Sequence, residues 1–315
     1  MNRSRSHRLL ILIAALALLA SSGVAGSQPG RDDDGAMGTL VTTEWLSRHL
    51  SDPDLVVLDC TVYMEPDSAG GLRAVCGCGR FKEGHIPSAR FADLKNDLSD
   101  LDSPLGFALP TPEQFCTVMG SLGVSDDSRV VLYDAYNSVW AARVWWMLRW
   151  VGFDRAAVLD GGLKAWTAEG RPLSTVPVDS PAGELSPSLR PALIADHDEV
   201  FGAMGDDAVV LIDAMPEPHF RGKMAMYDRP GHIPTALNVP ATSLIDESGR
   251  YLPLDELADM FDSDRKSRSI TYCGAGVAAS SDAFVMIRLG FKDVAVYMGS
   301  LQEWGADPAN PLVVD

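Results

Sequence analysis

Basic side chains are scarce in this 315-residue chain: 26 lysines and arginines face 43 aspartates and glutamates, giving a net charge of −17. Such a field repels nucleic acid and anionic membrane surfaces, so neither is expected as a partner. Anionic substrates are repelled too unless a local positive pocket overcomes the field. A membrane-spanning run is lacking as well. The apolar stretch Leu9 to Ala20 covers twelve positions, short of the ~20 that cross a bilayer. It follows Arg3, Arg5, His7 and Arg8 and precedes the small residues Gly23, Ala25 and Gly26, the pattern of a signal peptide over residues 1–26. Cleavage rather than stable anchoring is expected, with export to a periplasm or out of the cell. No cysteine stands near the cleavage region, which excludes a lipoprotein. Cleavage removes three arginines and no acids, taking the net charge from −17 to −20. Cysteine is sparse and odd in number: Cys60, Cys76, Cys78, Cys116 and Cys273 leave at least one thiol unpaired within the chain.

What is present is an ordinary globular composition, 46% hydrophobic and 22% charged, which at this length fits two domains of ~150 residues. The chain also repeats itself. Gly84-His85-Ile86-Pro87 returns as Gly231-His232-Ile233-Pro234, 147 residues later. Each copy follows an apolar run ending in aspartate, Leu55 to Asp59 and Ala208 to Asp213, as strands do. Second runs follow, Arg129 to Asp134 and Arg268 to Cys273, whose ends align although one carries aspartate and the other cysteine. Then come apolar helical stretches (139–150 and 277–289), short strands (156–159 and 294–297), and Gly161-Gly162-Leu163 or Gly299-Ser300-Leu301 leading to Trp166 or Trp304. Alternation of this kind predicts an α/β chain of two similar domains, each a parallel β-sheet with helices on both faces. Residues 171–192 carry Pro172, Pro177, Pro181, Pro187 and Pro191, a linker composition between domains at 39–170 and 193–315. Thr111-Pro112-Glu113-Gln114 reads as a capped helix start. The helix with Trp140, Trp145, Trp146 and Trp150 reads as packing between elements.

Cys273 is the candidate nucleophile. It sits where a strand gives way to Gly274-Ala275-Gly276-Val277-Ala278 and then a helix. Gly274 and Gly276 permit a loop whose N–H groups wrap a sulfur anion, and the helix start adds partial positive charge. The expectation is a thiol whose pKa falls from ~8.5 towards neutrality, competent as a nucleophile and able to hold a persulfide. Burial as a plain small residue, or one end of a disulfide, is the alternative that the two flanking glycines disfavour. Cys76-Gly77-Cys78 could bind metal or exchange disulfides, but structural pairing among Cys60, Cys76, Cys78 and Cys116 is the leading expectation. The histidines His85 and His232 read mainly as turn-tying groups, with His85 still able to approach a site between the domains.

The paired Gly-His-Ile-Pro segments, Asp134 at the first strand end, Ala142 to Arg149, Leu159 to Gly162 and Cys273-Gly-Ala-Gly-Val together resemble the tandem-domain rhodaneses over residues 39–312. That resemblance implies two rhodanese-like domains, a first without the catalytic cysteine and an active second, with the site at their interface. It implies a sulfurtransferase that works by ping-pong transfer: Cys273 takes sulfur from a small anionic donor and the persulfide passes it to cyanide or a thiol. No cofactor and no metal are implied, and a monomer is expected. In the family a basic loop accompanies thiosulfate and an uncharged Cys-Gly-Ser/Thr-Gly-Val-Thr loop accompanies 3-mercaptopyruvate; the present loop is similar to the second. It departs at Ala275 and Ala278, which lack the hydroxyls, and at Met215 and His219, which stand where arginines are usual. Arg221 matches a family position and Arg229 lies close to another, so the possible substrate-binding set is His219, Arg221, Arg229 and His85. A phosphatase of the Cys-x5-Arg kind would need arginine where Ala279 stands. A non-turnover persulfide carrier is the rival of another class.

Overall fold

Short runs of Val, Leu and Ile between turn residues make strands, and here they make two sheets on one plan. The computed structural model describes residues 37–68, 71–179 and 181–315; the signal peptide expected at 1–26 lies outside them. The first domain runs β1 (Leu40–Val41), α1 (Thr43–His49), β2 (Leu55–Asp59), β3 (Val62–Pro66), β4 (Leu72–Cys76), α2 (Cys78–Glu83), β5 (Ala89–Phe91), α3 (Pro112–Ser121), β6 (Arg129–Tyr133), α4 (Val139–Trp150), β7 (Ala156–Leu159) and α5 (Gly162–Ala168). The second runs β8 (Ile194–Ala195), α6 (His197–Ala203), β9 (Val209–Asp213), α7 (Glu217–Phe220), β10 (Leu237–Asn238), α8 (Leu254–Ala258), β11 (Arg268–Tyr272), α9 (Val277–Arg288), β12 (Val294–Tyr297) and α10 (Ser300–Trp304).

Both sheets are parallel. The first has the order β1-β7-β6-β2-β5 and the second, read from the other edge, β8-β12-β11-β9-β10, so the equivalent strands occupy equivalent places. In the first sheet Val56, Leu58, Val130 and Leu132 face a core shared with α3 and α4, while Val57, Val131 and Tyr133 face Trp45, Leu46 and Trp166 of α1 and α5. Such alternation buries both faces, as parallel strands require. The start of α3 is a capping box: Thr111 accepts from the Gln114 N–H, and Gln114 answers on the Thr111 N–H. Between β2 and β5 the first domain inserts an antiparallel hairpin, β3 with β4; the second domain has α7 at that point of the chain.

The domains meet along α4 and α9, the two equivalent helices. Trp145 packs edge-on against Phe284 with ring centroids 4.8 Å apart, and its indole N–H is satisfied by the Ala156 carbonyl at 2.9 Å. Polar ties flank the seam: Arg250 to Glu169 at 2.5 Å, the Tyr251 N–H to Asp160 at 3.0 Å, and Gln302 bonded both ways to the Gly106 backbone. Among the described residues no helix is long and apolar enough to cross a membrane.

The cysteines correct one expectation. Cys76 and Cys78 are bonded to each other, but Cys60 and Cys116 are free. Both lie in the apolar core of the first domain with Leu58, Phe115 and Met119, where a thiol serves as a small hydrophobic side chain. Burial pushes the Cys116 thiol up to about 11 and the Cys60 thiol well above its ordinary value.

Candidate active site

Cys273 follows β11, the strand between β9 and β12. The C-terminal ends of such strands open onto the crevice where α/β proteins place their ligands. Beyond it the chain must reverse into α9, and Gly276 makes the turn at φ 72° as the helix cap. A side chain there would strike the Arg143 guanidinium at 2.8 Å and the Met298 backbone at 2.9 Å. At Gly274 a Cβ would sit 2.7 Å from the Met226 sulfur, which would have to shift. The loop is fastened from behind by α10. The Ser300 hydroxyl accepts from the Cys273 N–H at 3.1 Å, and the N–H groups of Leu301 and Gln302 donate to the carbonyls of Cys273 and Gly274, each at 3.0 Å.

The nest forms as its glycines require: the N–H groups of Ala279, Ala275 and Ala278 point at the sulfur and favour its anion. The outcome for the thiol, however, is the reverse of the expected lowering. Cys273 is 2% exposed, and burial raises its pKa more than the three N–H groups lower it, with the nearby Asp213 carboxyl adding to the rise. Tyr227 stands beside it, its phenol pushed up to about 12 by burial and by the Cys273 charge.

The strand-end equivalent in the first domain is Asp134, whose loop is one residue longer. Its carboxylate fills the nest: one oxygen accepts from Tyr136 at 2.8 Å and Ser138 at 3.1 Å, the other from Trp140 and Ala141, both at 3.0 Å. Ser138, at φ 64°, takes the left-handed place that Gly276 holds in the second domain.

Most of the other residues singled out in the sequence have partners of their own. Met215 is buried, with its N–H on Asp213 at 2.8 Å. His219, on α7, is half-buried, and its Nδ1 has no partner. Arg221 is bonded to Glu217 at 2.7 Å and lies 3.9 Å from Asp315. Arg229 donates to the carbonyls of Asp307 and Asn310, both at 2.8 Å. His85 is buried in its own domain, stacked on Phe81 at 4.0 Å with its ring on the Phe81 and Val176 carbonyls. His232 repeats the arrangement on Phe220 at 3.7 Å. The residues that surround the Cys273 loop, Arg143, Met226, Tyr227, Met298 and Ser300, were not singled out as site residues in the sequence. Only Arg143 left a signal there, as a lone cation in the apolar Val139 to Leu148 stretch.

A family model described as Rhodanese-like domain matches the chain twice, at residues 42–169 and 196–307. The chain belongs to the rhodanese family. Among rhodanese relatives, a probable 3-mercaptopyruvate sulfurtransferase of Pseudomonas aeruginosa is 35% identical over 285 residues, 87% of this chain and 97% of that one. A thiosulfate sulfurtransferase of Gallus gallus is 33% identical over 275 residues, covering 84% and 92%. The solved structure of SseA from Escherichia coli, described as showing the rhodanese fold and catalytic mechanism of 3-mercaptopyruvate sulfotransferases, is similar at a TM-score of 0.75 and 32% identity, covering 84% of this chain and 99% of that one. At such identity and coverage this rhodanese is a sulfurtransferase.

Proposed function

We propose that the chain moves a sulfane sulfur from a small anionic donor, 3-mercaptopyruvate in preference to thiosulfate, to a thiol or cyanide by way of a Cys273 persulfide. The observation that carries the reading is a single cysteine at the C-terminal end of a central strand with three backbone N–H groups on its sulfur. Those donors suit a terminal persulfide anion as well as a thiolate. With 3-mercaptopyruvate, the Cys273 thiolate attacks the donor sulfur, an S–S bond forms and the C–S bond breaks. The electron pair passes to the methylene carbon, which takes a proton to give pyruvate. With thiosulfate the same attack releases sulfite. The acceptor then removes the outer sulfur and returns the thiolate. No resident cofactor enters either half.

Donor preference rests on the uncharged loop, Gly274-Ala275-Gly276-Val277-Ala278, and on the names borne by the relatives. Opposing it, Met215 is apolar, and Arg221 and Arg229 already hold other acceptors, so His219, with its unpartnered Nδ1, is the remaining polar group of the expected set. This supports a carrier as the second reading, one that takes up sulfur but passes it on only to a specific partner. We also propose export of the mature chain, on the leader at residues 1–26.

The test is steady-state turnover with cyanide as acceptor and each donor in turn, with the protein's intact mass followed throughout. Turnover with 3-mercaptopyruvate above thiosulfate is the expected result. Sulfur uptake on Cys273 without turnover selects the carrier, and no uptake by folded, reduced protein rejects both.

A further inference from the structure

Arg143 lies in the middle of α4 and is 1% exposed. One guanidinium nitrogen donates to the Gly276 carbonyl at 3.2 Å and to the Met298 sulfur; the other donates to the Phe107 carbonyl at 2.8 Å, and Nε has no acceptor. Among the described residues no carboxylate pairs with it, in a chain that carries 43 acids. Other arginines of this protein are differently served: Arg129 holds Asp52 and Asp54, Arg268 holds Glu199 and Asp293, and Arg190 holds Asp154. A buried cation without a counter-charge is costly, because water that would solvate it is excluded.

The repeat makes the missing carboxylate visible. Where the first domain has Leu159-Asp160-Gly161, the second has Tyr297-Met298-Gly299. Asp160 binds the Tyr251 N–H across the domain seam, whereas its counterpart, Met298, meets Arg143 with a thioether that accepts weakly and brings no charge. The remaining group close enough to feel the cation is Cys273, whose negative form favours the charged guanidinium. We propose that Arg143, reaching from the first domain, is the counter-cation of the Cys273 sulfur, holding its loop through the Gly276 carbonyl and stabilising the thiolate and the persulfide anion. It is a positioning residue, acting through the loop and its field.

This inference rests on Cys273 as the sulfur-carrying group, and it gives the first domain a task although it lacks the cysteine. The charged and titratable groups whose field reaches the sulfur are Asp213 from the end of β9, Tyr227 from the segment before Gly231, and Arg143 from α4; on α9, Asp282 is buried and answers to Asp213. Arg143 is the one cation in that set.

The test is the pH profile of iodoacetamide labelling of each cysteine in reduced, full-length protein, resolved by mass spectrometry, with Cys60 and Cys116 as internal references. Arg143→Gln keeps an N–H donor for Gly276 and removes the charge; the Cys273 midpoint should rise by about one pH unit, a roughly tenfold loss of thiolate at neutral pH. Arg143→Lys should restore the midpoint to near its original place. Met298→Asp leaves Arg143 in position but supplies a rival carboxylate, and should raise the midpoint in the same direction. A folded Arg143→Gln protein with an unchanged Cys273 profile overturns the proposal. If that variant does not fold, an unchanged profile in Met298→Asp overturns it instead. Sulfur uptake from 3-mercaptopyruvate and from thiosulfate by the unaltered protein is measured in parallel as the added mass of one sulfur atom. Labelling shifts without uptake would discard the persulfide reading and keep the Arg143–thiolate pair.

Discussion

Asp134 and Cys273 end the equivalent strands β6 and β11, and backbone N–H groups converge on each. Their difference lies in what fills the nest. In the first domain a carboxyl group accepts four N–H groups at 2.8–3.1 Å and closes the site with a side chain of its own. In the second, a sulfur of adjustable charge takes the place, and burial keeps its thiol above the ordinary range until something offsets the cost. One loop geometry therefore serves as a structural knot when a carboxylate of the fold fills it and as a reaction centre when a thiol does.

A second contrast sits one strand over, at the ends of β2 and β9. Asp59 accepts from the N–H and hydroxyl of Thr61, whereas its equivalent Asp213 has the Met215 N–H and one carboxyl oxygen without a partner. Burial raises both, Asp59 to about 6 and Asp213 to about 7. The less well bonded carboxyl is the one beside the cysteine.

The largest effect should come from Cys273→Ser, which is expected to lower turnover by more than about three orders of magnitude while the thermal unfolding midpoint stays near that of the parent. Asp134→Ser should leave turnover within a few-fold, and a similar collapse there would mean that the first nest takes part in chemistry. Stability should reverse the ranking. Asp134→Ala abandons four N–H groups, three of them buried, and should cost about 3 kcal/mol or more, against about 1–2 kcal/mol for Cys273→Ala, both read from urea unfolding. Equal losses would erase the distinction between knot and reaction centre. Next comes pH. The folded chain holds the Asp213 proton where the unfolded chain has lost it, so this group's contribution to stability is fully present below about pH 4 and declines as pH rises towards about 7. Asp213→Asn should flatten that decline by a few kcal/mol, and Asp59→Asn should do so less and over a window ending near pH 6; urea midpoints taken between pH 4 and 7 decide it. The smallest change is Ser138→Gly, which relieves a left-handed serine and should shift stability by no more than about 1 kcal/mol. Gly276→Ala, placed against Arg143 and Met298, should be the damaging member of that pair in turnover assays.

Much of the fold was legible because duplication doubles every signal: the paired strand ends, the paired Gly-His-Ile-Pro segments and the two apolar helices each vouch for the other. Thr111 to Gln114 was legible because a capping box is local. The β3–β4 hairpin escaped notice since it occurs once and its burial is slight. Structural pairing among Cys60, Cys76, Cys78 and Cys116 was expected from cysteine number in an oxidising setting; Cys76 and Cys78 do pair, while Cys60 and Cys116 stay free in apolar surroundings. At the site, Cys273 and its glycines stand in an unbroken run of sequence, and the loop's conformation follows from them. Arg143 belongs to another domain, 130 positions upstream, and no reading along the chain could bring it to Gly276. The lowering of the Cys273 pKa was expected from N–H groups and a helix start alone; that reading omitted burial, which the sequence does not display.

The two buried histidines reach past their own turns. His85 pairs through its backbone with Ser174, where the first domain's chain is leaving, and His232 does the same with Val313, close to the last residue. Each half thus brings its departing strand back to its own middle before the next half begins. A unit closed in this way carries its ending with it, so it can be copied head to tail by a genetic duplication without any rewiring of its interior. Once two copies exist, either is free to give up its nucleophile and keep its shape.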